Sequence, residues 1–141
     1  MEGMGLIHIP YRLVDGEPFP SPTFDVFLLG RQRRIRVPAL MDSGAVRPIF
    51  QLGDAENAGI DLSKSIKHPI QYGGSVTPGW ITRARIEIKA DLIMHAVDTS
   101  IVFVETLDLR YRLLGRVGFF DRFDRVSFLQ KCSPSYVELH G

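Results

Sequence analysis

The feature that most constrains the fold is the way glycine and proline interrupt the apolar sequence. Thirteen glycines and nine prolines separate short runs that are rich in valine, isoleucine and phenylalanine. Short apolar runs bounded by turn residues are typical of β-strands, whereas amphipathic helices need longer uninterrupted segments. A chain of 141 residues is long enough for one hydrophobic core and short for two. We therefore predict a mostly β protein in which residues 1–141 form a single domain.

Alternating polarity gives the clearest strand. From Trp80 to Ile88 every second residue is apolar or small, and the residues between them include arginine and glutamate. This period of two places one face of a strand on a core and the other in water. Short helices are predicted at Gly53 to Ala58, closed by Gly59, and at Gly118 to Phe123. The predicted strands are Leu6 to Val14, Thr23 to Leu29, Arg33 to Met41, Ala45 to Phe50, Lys67 to Tyr72, Trp80 to Ile88, Leu92 to Val97, Thr99 to Glu105, Tyr111 to Leu114, Arg125 to Gln130 and Tyr136 to Leu139.

The charge balance argues against a partner held by electrostatics alone. Seventeen lysines and arginines face sixteen aspartates and glutamates, for a net charge of +1. No overall field therefore steers the protein toward nucleic acid or anionic lipid. A local cluster of Arg31, Arg33, Arg34 and Arg36 is interpreted as a solvated hairpin, because no exposed aromatic residues are interleaved with it. No window approaches the ~20 apolar residues of a membrane span. We expect no nucleic-acid partner and no membrane segment.

Cysteine and histidine usage argues against a disulfide or a metal centre. Cys132 is the one cysteine, so no disulfide forms within the chain, and a reducing compartment, the cytoplasm, is favoured. The four histidines are scattered singly, at no spacing typical of metal ligands. We expect neither a metal nor another cofactor.

The most informative motif is an apolar strand that runs into an acid, a hydroxyl residue and a glycine. Residues 37–45 read VPALMDSGA, so that Asp42, Ser43 and Gly44 follow the strand directly. Gly44 would let backbone or ligand approach closely. As an isolated tripeptide, Asp-Ser-Gly is also an ordinary turn sequence. A chemical role for Asp42 therefore depends on what else the chain contains.

Two further segments follow in a defined order. Residues 72–79, YGGSVTPG, form a glycine-rich tip between two predicted strands, and such a tip permits a hairpin to open and close. Residues 113–123, LLGRVGFFDRF, combine an apolar strand with Gly-Arg and an aromatic helical turn. Together with Asp-Ser-Gly-Ala, these segments resemble the retropepsin-like aspartic proteases, and the last is close in wording to bacterial cellular members. The resemblance covers about Phe24 to Phe128.

This resemblance implies an all-β, small closed barrel of the retropepsin-like acid-protease type, with one or two short helices. It implies an aspartic endopeptidase whose cleft takes an extended peptide. Only one such aspartate motif is present, so the second carboxylate must come from a second copy in a homodimer with its axis at Asp42. The two carboxylates would share one proton and activate a water. The implied residues are Asp42, Ser43 and Gly44 for catalysis, Ala45, Tyr72, Gly73, Gly74 and Ser75 for substrate binding, and Leu114, Gly115 and Arg116 as a structural motif.

Two residues depart from the family pattern. Val46 stands where a polar residue, often aspartate, is usual, and Val117 stands where relatives often carry aspartate or asparagine. In relatives that acid helps to hold the arginine of the Gly-Arg motif, so Asp121 or Asp124 is the candidate partner for Arg116 here.

Three other interpretations follow from the sequence. One alternative function is a catalytically weak or inactive retropepsin-like module for peptide binding or dimerisation. Another is an unrelated β-barrel ligand-binding domain in which Asp-Ser-Gly is only a turn. Within the protease hypothesis, Arg83 and Arg85 on the polar face of the strand after the flap would favour acidic substrate side chains.

Overall fold

Strands account for about half of the chain. The structure, a computed structural model, describes residues 5–72, 74–105 and 110–141. About 53% of the chain is strand and 8% helix, which confirms the mostly β prediction. The elements are β1 Leu6–Pro10, β2 Thr23–Leu29, β3 Arg34–Met41, β4 Ile49–Gln51, α1 Leu52–Ala58, β5 Ile66–Lys67, β6 Ile70–Tyr72, β7 Ser75–Thr77, β8 Gly79–Ala90, β9 Ile93–Val104, β10 Arg112–Leu114, a 3-10 helix Phe120–Arg122, β11 Arg125–Leu129 and β12 Tyr136–His140.

Six strands close into a barrel. Their order is β2-β3-β10-β4-β9-β8, and β8 pairs back onto β2 with Val26 opposite Ile88. The β3–β10 and β4–β9 pairs are parallel, whereas the long β8–β9 hairpin is antiparallel. Closure removes the open sheet edges that would otherwise invite pairing with other chains. The predicted small closed barrel is confirmed.

The barrel interior is filled by the inward faces of these strands. On β8, Ile86 and Ile88 are fully buried while Arg83 and Arg85 are exposed, as the period of two predicts. The rings of Phe50 and Phe103 meet edge to face, with centroids 6.2 Å apart. Burying side chains of this size contributes roughly 1.5–3 kcal/mol each. This packed interior is the support on which the loops at the strand ends rest.

Helix α1 closes one side of the barrel. Asp54 accepts a hydrogen bond from the backbone N–H of Gln51 at 3.0 Å, and Gly59 ends the helix in the left-handed conformation with φ 75°. The predicted helix and its glycine stop are therefore confirmed. A Cβ on Gly30 would lie 1.7 Å from the carbonyl oxygen of Ala58, so the β2–β3 hairpin approaches the helix end at a position that only glycine permits. No helix in the described part of the chain is long and apolar enough to cross a membrane.

The chain ends form a second sheet, separate from the barrel. Its order is β1-β12-β11, so β12 has a partner on each side. Val137 and Leu139 of β12 are fully buried. The predicted strand Leu6 to Val14 is too long, because β1 ends at Pro10 and Arg12 instead forms an isolated bridge with Ser21.

Candidate active site

Asp42 lies where strand β3 meets strand β10. The two strands run parallel with Met41 opposite Leu114, so both end at the same edge of the sheet. The backbone N–H of Asp42 donates to the carbonyl oxygen of Leu114 at 3.1 Å. The Asp-Ser-Gly and Leu-Gly-Arg motifs, about seventy residues apart in sequence, are therefore in direct contact.

Residues 42–48 form a tight connection, which we call the floor loop. Within it, the Gly44 N–H donates to Oδ1 of Asp42 at 2.8 Å, and the Ala45 N–H donates to the Asp42 carbonyl at 3.2 Å. A Cβ on Gly44 would lie 3.1 Å from the same Oδ1. The carboxylate of Asp42, half-buried, is thus oriented by its own loop. Ser43 is exposed and, within the described residues, its hydroxyl makes no hydrogen bond, so its supporting role stays a prediction.

Gly115 is the point of closest backbone approach. A Cβ at this position would lie 2.6–2.7 Å from the backbone N, C and O of Arg47. The next two residues bond to the same loop: the Arg116 N–H donates to Ala45 at 3.0 Å and the Val117 N–H to Val46 at 2.7 Å. The floor loop is therefore held against the Gly-Arg motif by main-chain contacts.

The Arg116 side chain does not have the acidic partner suggested by the sequence. Its guanidinium is exposed and forms no ion pair with any residue that the structure describes. The Asp121 carboxylate instead accepts the backbone N–H of Gly118 at 2.9 Å, and Asp124 is exposed. An aspartate that caps its own turn is held away from a neighbouring arginine. The proposed pairing with Asp121 or Asp124 is absent from the described ranges.

Strands β6 and β7 form a separate two-stranded hairpin, residues 70–77, which we call the flap hairpin. Tyr72 is opposite Ser75, and Gly74 has φ 82°, a left-handed conformation that suits glycine at a tight tip. Ser75 is exposed. The predicted residue Gly73 lies outside the described residues. The single predicted strand Lys67 to Tyr72 is in fact two short strands, β5 and β6.

A cavity of about 540 Å³ separates the floor loop from the first arm of the flap hairpin. Asp42 and Ala45 line it, as expected for residues that contact a substrate, whereas Gly74 and Ser75 are not among the described residues that line it. Sequence reasoning missed most of its walls. Arg47 could have been suspected as a charged residue just after Ala45, but His68 and Gln71 carried no signal. The full lining is Asp42, Ala45, Val46, Arg47, Ile49, His68, Pro69, Ile70, Gln71, Val102 and Leu113.

A buried ion pair supports this region from behind. Arg112 of β10 binds Asp54 of α1 through two hydrogen bonds of 2.8 and 2.6 Å. The exposed fractions of the two side chains are 15% and 4%. A planar, two-point contact of this kind fixes direction as well as distance. Because Arg112 precedes Leu113 and Leu114, the pair anchors the strand that supports Asp42.

A second arginine–aspartate pair lies on the outer wall of the barrel. Arg85 donates to Asp98 at 2.8 and 3.1 Å across the β8–β9 hairpin. This hydrogen bonding holds the pKa of the Asp98 carboxyl below its ordinary value. Neither Arg83 nor Arg85 lines the cavity beside Asp42. The prediction that these two arginines favour acidic substrate side chains therefore receives no support from this cavity.

Within the described residues, no group of three or more histidine, cysteine, aspartate or glutamate side chains is placed to hold a metal ion.

The sequence matches no known protein-family model and no curated protein. Similar solved structures include the crystal structure of a retropepsin-like aspartic protease from Rickettsia conorii, with a TM-score of 0.59 and 17% sequence identity. The match covers 96% of this chain and 89% of that one. Likeness at this identity concerns the path of the chain. The protein therefore has the fold of the retropepsin-like aspartic proteases.

Proposed function

We propose that this protein is an aspartic endopeptidase of the retropepsin-like family, working as a homodimer in which residues 1–141 of each copy form one domain. The observation that carries the proposal is the position of the Asp42 carboxylate. Asp42 directly follows strand β3, its carboxylate accepts the Gly44 N–H at 2.8 Å, and the residue lines a cavity of about 540 Å³. A carboxylate that is oriented by a backbone N–H beside such a cavity is suited to act as a catalytic acid or base on a bound substrate.

The reaction uses one Asp42 from each copy. In the proposed dimer the two carboxylates lie next to each other at the symmetry axis and share one proton, because like charges at short range do not both ionise. The ionised member takes a proton from a water as the water oxygen attacks the scissile carbonyl carbon. The protonated member donates to the carbonyl oxygen, and the tetrahedral intermediate then collapses with proton transfer to the leaving amine. Water is the only co-reactant.

The neighbouring elements supply substrate contacts. Gly44 and Ala45 lie beside an extended peptide on the floor side and contact it by packing, because both of their N–H groups already bond to Asp42. The flap hairpin, with Tyr72, Gly73, Gly74 and Ser75 at its tip, closes over the peptide and excludes water. Ser43 completes the hydrogen bonds around the dyad once the second copy is present.

Peptide cleavage by Asp42→Asn tests this proposal. A diverse peptide library is incubated from about pH 4 to 7, a range that a shared-proton dyad serves, at a protein concentration where sedimentation shows a dimer. Asp124→Asn is the matched control, since Asp124 is exposed and lies outside the cavity. Wild type and control are expected to cleave the peptides, and the cleavage rate of Asp42→Asn is expected to be lower by roughly 10²–10⁴-fold or more. Equal cleavage by Asp42→Asn contradicts the mechanism.

A second candidate function is a peptide-binding or dimerisation module with weak or no catalysis. Val46 and Val117 favour it, because they are 53% and 44% exposed at positions where the family pattern expects polar residues. Arg116, which forms no ion pair with any described residue, belongs to the same departure. A confirmed dimer that binds peptides without cleaving them supports this candidate, and gain of cleavage in Val46→Asp would identify the missing acid as the cause.

A further inference from the structure

The cavity beside Asp42 has mostly apolar walls and one permanent positive charge. Ile49, Val102 and Leu113 contribute hydrocarbon surface from three different strands, and among the described residues of the lining Arg47 is the only arginine or lysine. Apolar surroundings strengthen an ionic interaction relative to open water. A charge in such a place has a larger effect on ligand choice than one on the protein surface.

Arg47 differs from every other described arginine. It is half-buried and, within the described ranges, has no carboxylate within ion-pair distance. The other arginines in these ranges are exposed, except Arg112, which is neutralised by Asp54. Partial burial of an unpaired guanidinium costs free energy that a bound anion recovers. The unliganded protein therefore offers a binding site for an anionic group at Arg47.

We infer that Arg47 makes the protein select peptides with an aspartate or glutamate side chain at the residue that enters this cavity. The inference rests on the proposed function, since it takes the cavity as a place for a substrate side chain. A guanidinium binds a carboxylate through two parallel hydrogen bonds, a geometry that an amide cannot match. The methylene groups of glutamate pack on the apolar walls.

The remaining polar groups of the cavity agree with an anionic side chain. His68 and Gln71 lie on the flap side and can each donate a hydrogen bond. Of the described residues in the lining, Asp42 alone carries a carboxylate, and it faces the scissile bond in the proposed mechanism. An acidic substrate side chain must therefore be held by Arg47 rather than beside Asp42, which limits the preference to the two symmetry-related substrate positions that face the two copies of Arg47.

A walking library measures the preference. Short peptides of one cleavable sequence carry a single glutamate, glutamine or lysine at each position in turn, and kcat/KM is compared for wild type, Arg47→Gln and Arg47→Glu. Arg83→Gln is the matched control, because it removes one exposed arginine that lies outside the cavity. Sedimentation at the assay concentration follows the dimer in each variant.

At the substrate positions that face the two copies of Arg47, wild type and Arg83→Gln are expected to favour glutamate over glutamine by roughly tenfold, the scale of one charge-assisted hydrogen-bonded pair. Arg47→Gln should lose this discrimination, and Arg47→Glu should favour lysine. Equal use of glutamate and glutamine by wild type at every position overturns the inference, as does a preference that survives in Arg47→Gln. Loss of the dimer in Arg47→Gln also overturns it, because the arginine would then pair with a second copy.

The two proposals fail in different ways. If wild type cleaves nothing, the same peptides are fluorescently labelled and their binding to wild type and Arg47→Gln is measured by anisotropy. Tighter binding of a glutamate peptide that depends on Arg47 keeps the inference and rejects hydrolysis. Equal binding of glutamate and glutamine peptides rejects the inference as well. Cleavage without discrimination rejects the inference alone.

Discussion

The floor loop and the flap hairpin face the same cavity and are held in different ways. The floor loop receives backbone hydrogen bonds from Arg116 and Val117, and its main chain at Arg47 touches Gly115. The flap hairpin consists of two three-residue strands that pair with each other, and Val76 on it is 65% exposed. A segment held by backbone contacts with the residues that follow β10 opens only with the core, whereas a short exposed hairpin opens by itself. One wall of the cavity is thus rigid and the other is suited to movement.

Gly115→Ala should have the largest effect, because it attacks the rigid wall at its tightest point. The new methyl would lie 2.6 Å from the Arg47 backbone, which cannot move without the core. We expect the free energy of unfolding to fall by about 4 kcal/mol or more. Urea denaturation followed by circular dichroism measures it.

Gly53→Ala is the control for this prediction, because a Cβ there meets nothing within 4 Å. Its effect should stay below about 1 kcal/mol. Similar stabilities for the two variants would show that the loop adapts and that the contrast between the walls is smaller than described.

Asp54→Asn should have the next largest effect. It leaves Arg112 as a buried cation without its counter-charge, at a cost of about 3 kcal/mol. The double variant Asp54→Leu with Arg112→Met should be more stable than the single one, because it removes both charges. A single variant as stable as wild type in urea would mean that the pair does not anchor β10.

Gly74→Ala should change the flap hairpin and leave the floor loop alone. The left-handed φ of 82° costs a residue with a Cβ about 1–2 kcal/mol. Amides of β6 and β7 should therefore exchange with deuterium roughly tenfold faster, and those of β3 and β10 at the wild-type rate. Equal acceleration in all four strands would show one cooperative unit.

Asp98→Asn should have the smallest effect, because the pair with Arg85 is exposed to solvent. The pKa of the Asp98 carboxyl is lowered in the folded protein. Any stabilisation that this carboxylate supplies is therefore present above the ordinary aspartate pKa and is lost as the pH falls. Wild type and variant should unfold at the same urea concentration in acid and differ barely at neutral pH. If the difference in stability between wild type and variant grew as the pH fell, the predicted direction of the pH dependence would be wrong.

Local features of the fold could be predicted, and contacts across the chain could not. Strand β2 occupies Thr23–Leu29 as the apolar pattern predicts, and Gly59 ends α1 as expected of a glycine after a helix. Two predicted strands on either side of Asp98 are one continuous strand, β9. Aspartate disfavours strands on average, but here its side chain points outward to Arg85 and the ladder continues.

The site shows the same division. The motifs that contain Asp42 and Gly115 can be recognised together, because their order resembles that of the retropepsin-like aspartic proteases. The Asp54–Arg112 pair joins residues 58 positions apart, and neither side chain has a pattern that names the other. The shape of the cavity depends on where the flap hairpin sits above Arg47, which is a property of tertiary packing rather than of local sequence.

The terminal sheet bears on how activity would depend on the amount of protein. Because β12 already has β1 and β11 on its two sides, no strand of a second copy is needed to complete it. We expect each protomer to fold before it meets another, so that association is a separate equilibrium governed by mass action. Under the proposed mechanism each chain supplies half a dyad, so the rate of proteolysis would rise with the square of the protomer concentration when dimers are scarce. Dilution alone would then abolish the proposed activity without unfolding the protein.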